Sequence, residues 1–274
     1  IIIDSIVEDI QKNISGKKIY IPENFNYAMP VSEKKFIGAI PEGSSYTFDK
    51  KSAVIGVHWF NIIVGEYEYS VDLDLHLNSA KRDIGWQNDF TRTNSIATKN
   101  LEVIFSGDMT DAPIDKGGAA EVYFIGEKVT DELMMINMNN YTYEHNTVPF
   151  KIFLAGVEQE NIDRKYLVNS HEIAFSIPNE IESGEMFLGF LSADNEGNKK
   201  FYFSVGNTGN RRVSRTDERA LKILSATRTS LESCLSMKDI LLKAGAILSD
   251  SDDCDINLDP AVVTKDILLS IFAK

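Results

Sequence analysis

The sequence predicts a mainly β protein: an antiparallel β-sandwich carrying an N-terminal helix and a C-terminal helical unit. Three observations lead there. Short runs rich in Val, Ile, Tyr and Phe recur at 53–60, 70–77, 101–106, 120–125, 149–156, 172–176, 185–192 and 200–205, separated by Gly, Asn, Asp and Ser clusters. That is the pattern of short strands joined by turns. Ahead of them, Ile3, Ile6, Val7, Ile10 and Ile14 recur at spacings of three and four, a helical stripe. Beyond residue 213 the strand pattern gives way to helix-start signals.

The boundaries follow from these shifts. Residues 1–50 read as a helix, stopped at Gly16, and an extended arm interrupted by Pro22, Pro30, Pro41 and Gly43, with room for one or two short strands. Residues 51–213 read as the sandwich, its last hairpin turning at Asp194-Asn195-Glu196-Gly197-Asn198. Residues 214–274 read as three helices. Ser214 with Asp217 and Ser236 with Asp239 form capping-box patterns, and Asp259-Pro260 reads as an N-cap followed by proline. A unit of this size is too small to be securely stable alone, so it is expected to pack on the sandwich, on the first helix or on another subunit.

Composition narrows the function classes. The formal net charge is −13, from 41 acidic and 28 basic residues. Such a surface repels nucleic-acid phosphates and attracts cations, and its general meaning is solubility. The basic patch Arg211-Arg212-Val213-Ser214-Arg215 is short and has no interleaved aromatic residues, so no nucleic acid is expected. No apolar run approaches the length of a membrane span. Cys234 and Cys254 have no metal-ligand spacing, and four scattered histidines do not complete a zinc site. The low cysteine count fits a reducing compartment, and the expected location is cytoplasmic or within a larger assembly. The chain opens on Ile1-Ile2-Ile3 rather than Met, which reads as a processed or truncated start.

Catalytic signatures are missing. The sequence has no phosphate-cradling loop, dinucleotide fingerprint or Gly-x-Ser-x-Gly elbow. His171-Glu172 lacks the second histidine of a zinc-protease helix. The expectation is a protein that is not an enzyme.

Two segments are rich in oxygen ligands. In Val71-Asp72-Leu73-Asp74-Leu75-His76-Leu77 alternation is strict, so the apolar residues share one face of a strand while Asp72, Asp74 and His76 share the other. Neighbouring carboxylates repel unless a cation, a basic group or solvent offsets them. The second segment, Ser106 to Glu121, is a Gly-rich loop holding Asp108, Asp111, Asp115 and Glu121, the donor chemistry that calcium takes from loops. Read alone, each segment also fits an ordinary solvated surface. A third acidic run, Asp250 to Asp259, fails as an EF-hand because Leu258 and Thr264 stand where Gly and Glu are required.

Taken in order, Gly56-Val57-His58-Trp59, Asp72-Leu73-Asp74, Ser106-Gly107-Asp108 and Phe203-Ser204-Val205-Gly206-Asn207-Thr208-Gly209 resemble the TerD-type tellurium-resistance and stress-protein family over roughly residues 50–213. The resemblance implies a β-sandwich with calcium held between the Asp-Leu-Asp strand and the Gly-Asp loop. The implied ligands are Asp72, Asp74 and Asp108 first, then Glu121, with Asp111 and Asp115 as further candidates. Two departures weaken calcium binding: Met109 replaces the family's Asn, and Gly117-Gly118-Ala119-Ala120 replaces a densely acidic stretch. The implied function is a stress-response module that acts through protein partners. The alternative is a structural subunit of a virus particle or other large complex, self-associating through the N-terminal helix and the C-terminal helices.

Overall fold

The computed structural model describes residues 2–79, 82–85, 102–142, 147–158, 168, 170–182, 184–206 and 226–273. Among them the protein is mainly β. One antiparallel sheet of seven strands runs in the order Asp83–Ile84, Leu73–Asn78, Glu132–Asn140, Gly184–Ala193, Lys199–Gly206, Ser45–Thr47, Phe25–Asn26. A second antiparallel sheet, of five strands, runs Val103–Phe105, Ala119–Ile125, Ser52–Trp59, Val148–Val157, Ile173–Ile181.

Side chains from both sheets enter one buried cluster. Ile55, Val57 and Trp59 of the five-stranded sheet share it with Leu73, Leu75, Leu77, Ile136 and Met138 of the seven-stranded sheet. The alternation at 71–77 therefore does what it predicts, placing Val71, Leu73, Leu75 and Leu77 in the core with no exposure. Polar bonds also cross between the sheets. The Trp59 indole Nε1–H donates to the Val71 carbonyl at 2.9 Å. The Tyr123 hydroxyl is shared between the carbonyls of Ile84 at 2.7 Å and Leu75 at 3.0 Å.

The Glu132–Asn140 strand lies at the heart of the seven-stranded sheet, paired with Leu73–Asn78 on one side and Gly184–Ala193 on the other. Its sequence, rich in Met and Asn, holds Ile136 as its single β-branched residue, too few to mark a strand. The arm supplies more strand than one or two pieces. Phe25–Asn26 and Ser45–Thr47 extend the seven-stranded sheet, while Phe36–Ile37 pairs with Ile40–Pro41.

The first helix, Ile2–Ile14, buries Ile10 and Ile14, and Gly16 at φ +78° follows it in the left-handed conformation favoured after a helix end. The tail is not purely helical. Residues 226–232, Met237–Lys243 and Lys265–Phe272 are helices, but Ile247–Ser249 and Ile256–Asn257 flank Lys18–Tyr20 in a parallel three-stranded sheet. The first helix packs on the helices Met237–Lys243 and Lys265–Phe272, and Asn13 Nδ2–H donates to the carbonyls of Ile271 and Ala273 at the end of the last helix. The two ends of the chain thus build one layer.

Asp259 does not cap the last helix. It accepts from Ala261 N–H in a turn, and Thr264 is the residue whose side chain accepts from Ile267 N–H at the helix start. Ser236 occupies an N-cap position, yet its hydroxyl donates to Asn26 Oδ1. The predicted cap at Ser214 and Asp217, the basic run from Arg211 and the segment Asn207-Thr208-Gly209 lie outside the described residues.

Candidate metal centre

Asp72, Asp74 and Asp108 come together: one carboxylate oxygen from each lies within 4.8 Å of the others. Asp72 immediately precedes the Leu73–Asn78 strand and Asp74 lies within it. The Asp72 backbone is anchored on both sides, its N–H donating to Thr142 Oγ1 and its carbonyl accepting from Tyr141 N–H. Asp108 enters from the loop after Val103–Phe105, next to Gly107 at φ +114°, and is exposed.

Asp74 is only 5% exposed, and among the described residues its side chain makes no hydrogen bond or ion pair. Asp72 Oδ1 is likewise shut from solvent without a partner. Burial, then the charges of Asp72 and Asp108, push the Asp74 carboxyl up to about 7. Burial and then Asp108 raise Asp72 as well. Among the described residues, no lysine or arginine offsets either shift. Unpaired buried carboxylates are costly and usually meet a cation or a proton. An all-oxygen set suits a hard divalent cation such as calcium.

Glu121 sits beneath this group, fully buried. In its strand it shares a face with Ala119, Tyr123 and Ile125, which enter the core, so its carboxylate faces inward too. Oε2 accepts from Leu75 N–H at 2.7 Å and Oε1 from Met109 N–H at 3.1 Å. Burial pushes Glu121 up to about 8, against the lowering effect of these two N–H groups, with Asp74 and Asp108 adding to the rise. Glu121 therefore ties the Asp74 strand to the Asp108 loop; its two oxygens are already engaged by backbone.

Asp111 and Asp115 are not part of the group. Asp111 Oδ1 accepts from Asn61 Nδ2–H at 2.9 Å and from the Ser70 hydroxyl at 3.0 Å, bonds that hold its carboxyl below the usual range. Asp115 stands exposed on the short turn Ile114–Lys116. His76 pairs with Asp83, Nε2 to Oδ1 at 2.5 Å.

Asn61 organises the loop and was not legible in any motif. Its Oδ1 accepts from Val71 N–H and Ala112 N–H, while Nδ2 donates to Glu68 and Asp111. All of its hydrogen-bonding capacity joins the start of the Asp72 strand to the acidic loop. Its position directly after the strand-end aromatics Trp59-Phe60 is the one sequence signal, and a weak one.

No family model and no curated protein matches the chain. Among solved structures, the chain is similar to one titled "Crystal structure of unknown function protein SAV2460" at 11% identity and a TM-score of 0.36. The match covers 62% of this chain and 96% of that one. At that score the likeness carries no functional argument.

Proposed function

We propose that the chain is a non-enzymatic, cation-binding β-sandwich module that holds calcium at Asp72, Asp74 and Asp108 and acts through protein partners. In this reading the seven- and five-stranded sheets are the two layers of the sandwich, closed over their shared core. One observation carries the cation: the buried Asp74 carboxylate has no partner among the described residues and lies beside two further carboxylates. Three charges at this separation favour a divalent ion over an empty site at neutral pH. Glu121 keeps strand and loop in register for it. The resemblance to TerD-type stress proteins agrees with this assignment, and Met109 contributes its backbone N–H to Glu121 rather than a ligand.

The helical ends favour a self-contained module over an assembly arm, because the first helix packs on the tail of its own chain. The test is calorimetric titration with calcium, run beside Asp74→Asn. Saturable binding by the wild type that weakens at least about tenfold in the variant is expected. Absence of both heat and a thermal shift in the wild type would sink the assignment, since a ligand that binds only the folded state must raise its stability.

A further inference from the structure

The outer face of the five-stranded sheet is built unlike a solvated face. Val54, Ile104, Val122, Phe124, Phe153, Ala155 and Val157 form a buried apolar cluster there, separate from the central core. Phe153 lies across Gly56, where a Cβ would come 2.3 Å from its ring, so glycine is what lets the aromatic lie flat on the sheet.

Beside this cluster is a hollow of about 510 Å³. Protein interiors leave few voids larger than a water molecule, and ligand sites typically fall between about 300 and 1,000 Å³. Val122, Phe124, Phe153 and Ile173 give it an apolar floor. Its polar groups are few: His58, Lys151, Ser106 and Ser176. In a chain of net charge −13, no acidic residue is among its described lining. Lys151 is exposed and has no ion pair among the described residues. His58 Nε2 lies 2.9 Å from the Gly117 carbonyl, which can only accept, so that nitrogen carries a proton. Ser106 Oγ accepts from Val122 N–H, leaving its own proton to donate. An adjoining hollow shares His58 and Lys151 but includes Glu180, which disfavours an anion there.

We propose that this hollow binds a small monocarboxylate with an apolar body, its carboxylate at Lys151 and its body along Val122, Phe124 and Phe153. The assignment does not depend on the cation site, which is built from other residues.

Titration with decanoate, followed by calorimetry and by methyl NMR shifts, tests it, with decanol and decyltrimethylammonium as controls. Saturable decanoate binding is expected, with shifts at Val122 and Ile173, no change on adding calcium or a chelator, and a loss of about tenfold in Lys151→Glu. In Ile173→Glu, checked for a native circular dichroism spectrum, binding disappears. Failure of decanoate to saturate, unchanged affinity in Lys151→Glu, or equally tight binding of decyltrimethylammonium overturns the proposal.

Discussion

Asp74→Asn is expected to make the metal-free protein more stable near neutral pH while removing most of its response to calcium. Burial and two neighbouring carboxylates push Asp74 from 3.8 up to about 7. A carboxyl raised on folding stabilises the fold below its unfolded pKa, and that contribution is lost as pH rises towards the folded value. Without a cation, wild-type stability should therefore fall between about pH 4 and pH 7, and Glu121, raised to about 8, extends the decline. Roughly three pKa units correspond to a ceiling of about 4 kcal/mol. Asp108 is exposed and opens the site to water, which brings the expected cost to about 1–3 kcal/mol. The neutral amide leaves that cost behind. Its own missing partners add little, because the carboxylate it replaces has none either. The assay is thermal unfolding of both proteins in chelator and in saturating calcium, at about pH 5 and about pH 8. In chelator at the higher pH the variant should melt several degrees above wild type, at roughly 2–4 °C per kcal/mol. Calcium at a hundred times its wild-type Kd adds about 2.7 kcal/mol to the wild type and at most about 1.4 kcal/mol to a variant that binds at least tenfold more weakly, so the gap narrows by about 1.3 kcal/mol or more. A variant that is no more stable than wild type in chelator at high pH, with an undiminished calcium shift, refutes the reasoning.

Three further outcomes are expected from the same structure. Glu121→Ala strands the N–H groups of Leu75 and Met109 and should cost about 2–4 kcal/mol in denaturant unfolding, with calcium affinity lost as the Asp108 loop is released. Asn61→Ala removes four hydrogen bonds at a residue 8% exposed and should cost about 2–4 kcal/mol; chemical denaturation showing less than about 1 kcal/mol would mean that these bonds are not made. Gly118→Ala should cost about 2 kcal/mol or more, because φ is +80° and a Cβ would sit 2.2 Å from the Trp59 carbonyl; an unchanged melting temperature would show that the backbone there adapts.

Much of the sheet was legible because alternation and β-branched residues report burial directly. Ser52–Trp59, Leu73–Asn78, Ala119–Ile125 and Lys199–Gly206 fall close to where the pattern put them. Glu132–Asn140 was not, since Met and Asn carry no strand preference, and its position is set by pairing with neighbours on both sides. Ile247–Ser249 and Ile256–Asn257 are too short for a periodic signal and exist only because Lys18–Tyr20 lies between them, more than 200 residues away in sequence. At the site, spacing placed Asp72 and Asp74 on one face. It could not tell which loop acid would join them, because Asp108, Asp111 and Asp115 are equivalent in composition. Asn61 and Ser70 decide the matter by engaging Asp111 elsewhere.

Glu121 also explains how three like charges stay together in a folded protein. Among the described residues, the short Asp83–Ile84 strand pairs with Leu73–Asn78 at Leu77 and Asn78. The opposite sheet serves the Leu75 backbone, with Glu121 accepting from its N–H and the Tyr123 hydroxyl reaching its carbonyl. An unmade backbone bond at that depth would be costly, so the inward carboxylate is needed for the fold whether or not an ion is bound. The same carboxylate holds Met109 N–H and thereby fixes Asp108 over Asp74. The electrostatic cost of the cluster is thus carried by hydrogen bonds of the core rather than by the loop. A cation that relieves this cost stabilises the contact between the sheets as well as the loop. Calcium should therefore slow hydrogen exchange at Leu75 and Met109 together, in contrast to an ion held by a surface loop alone, which would protect only the loop.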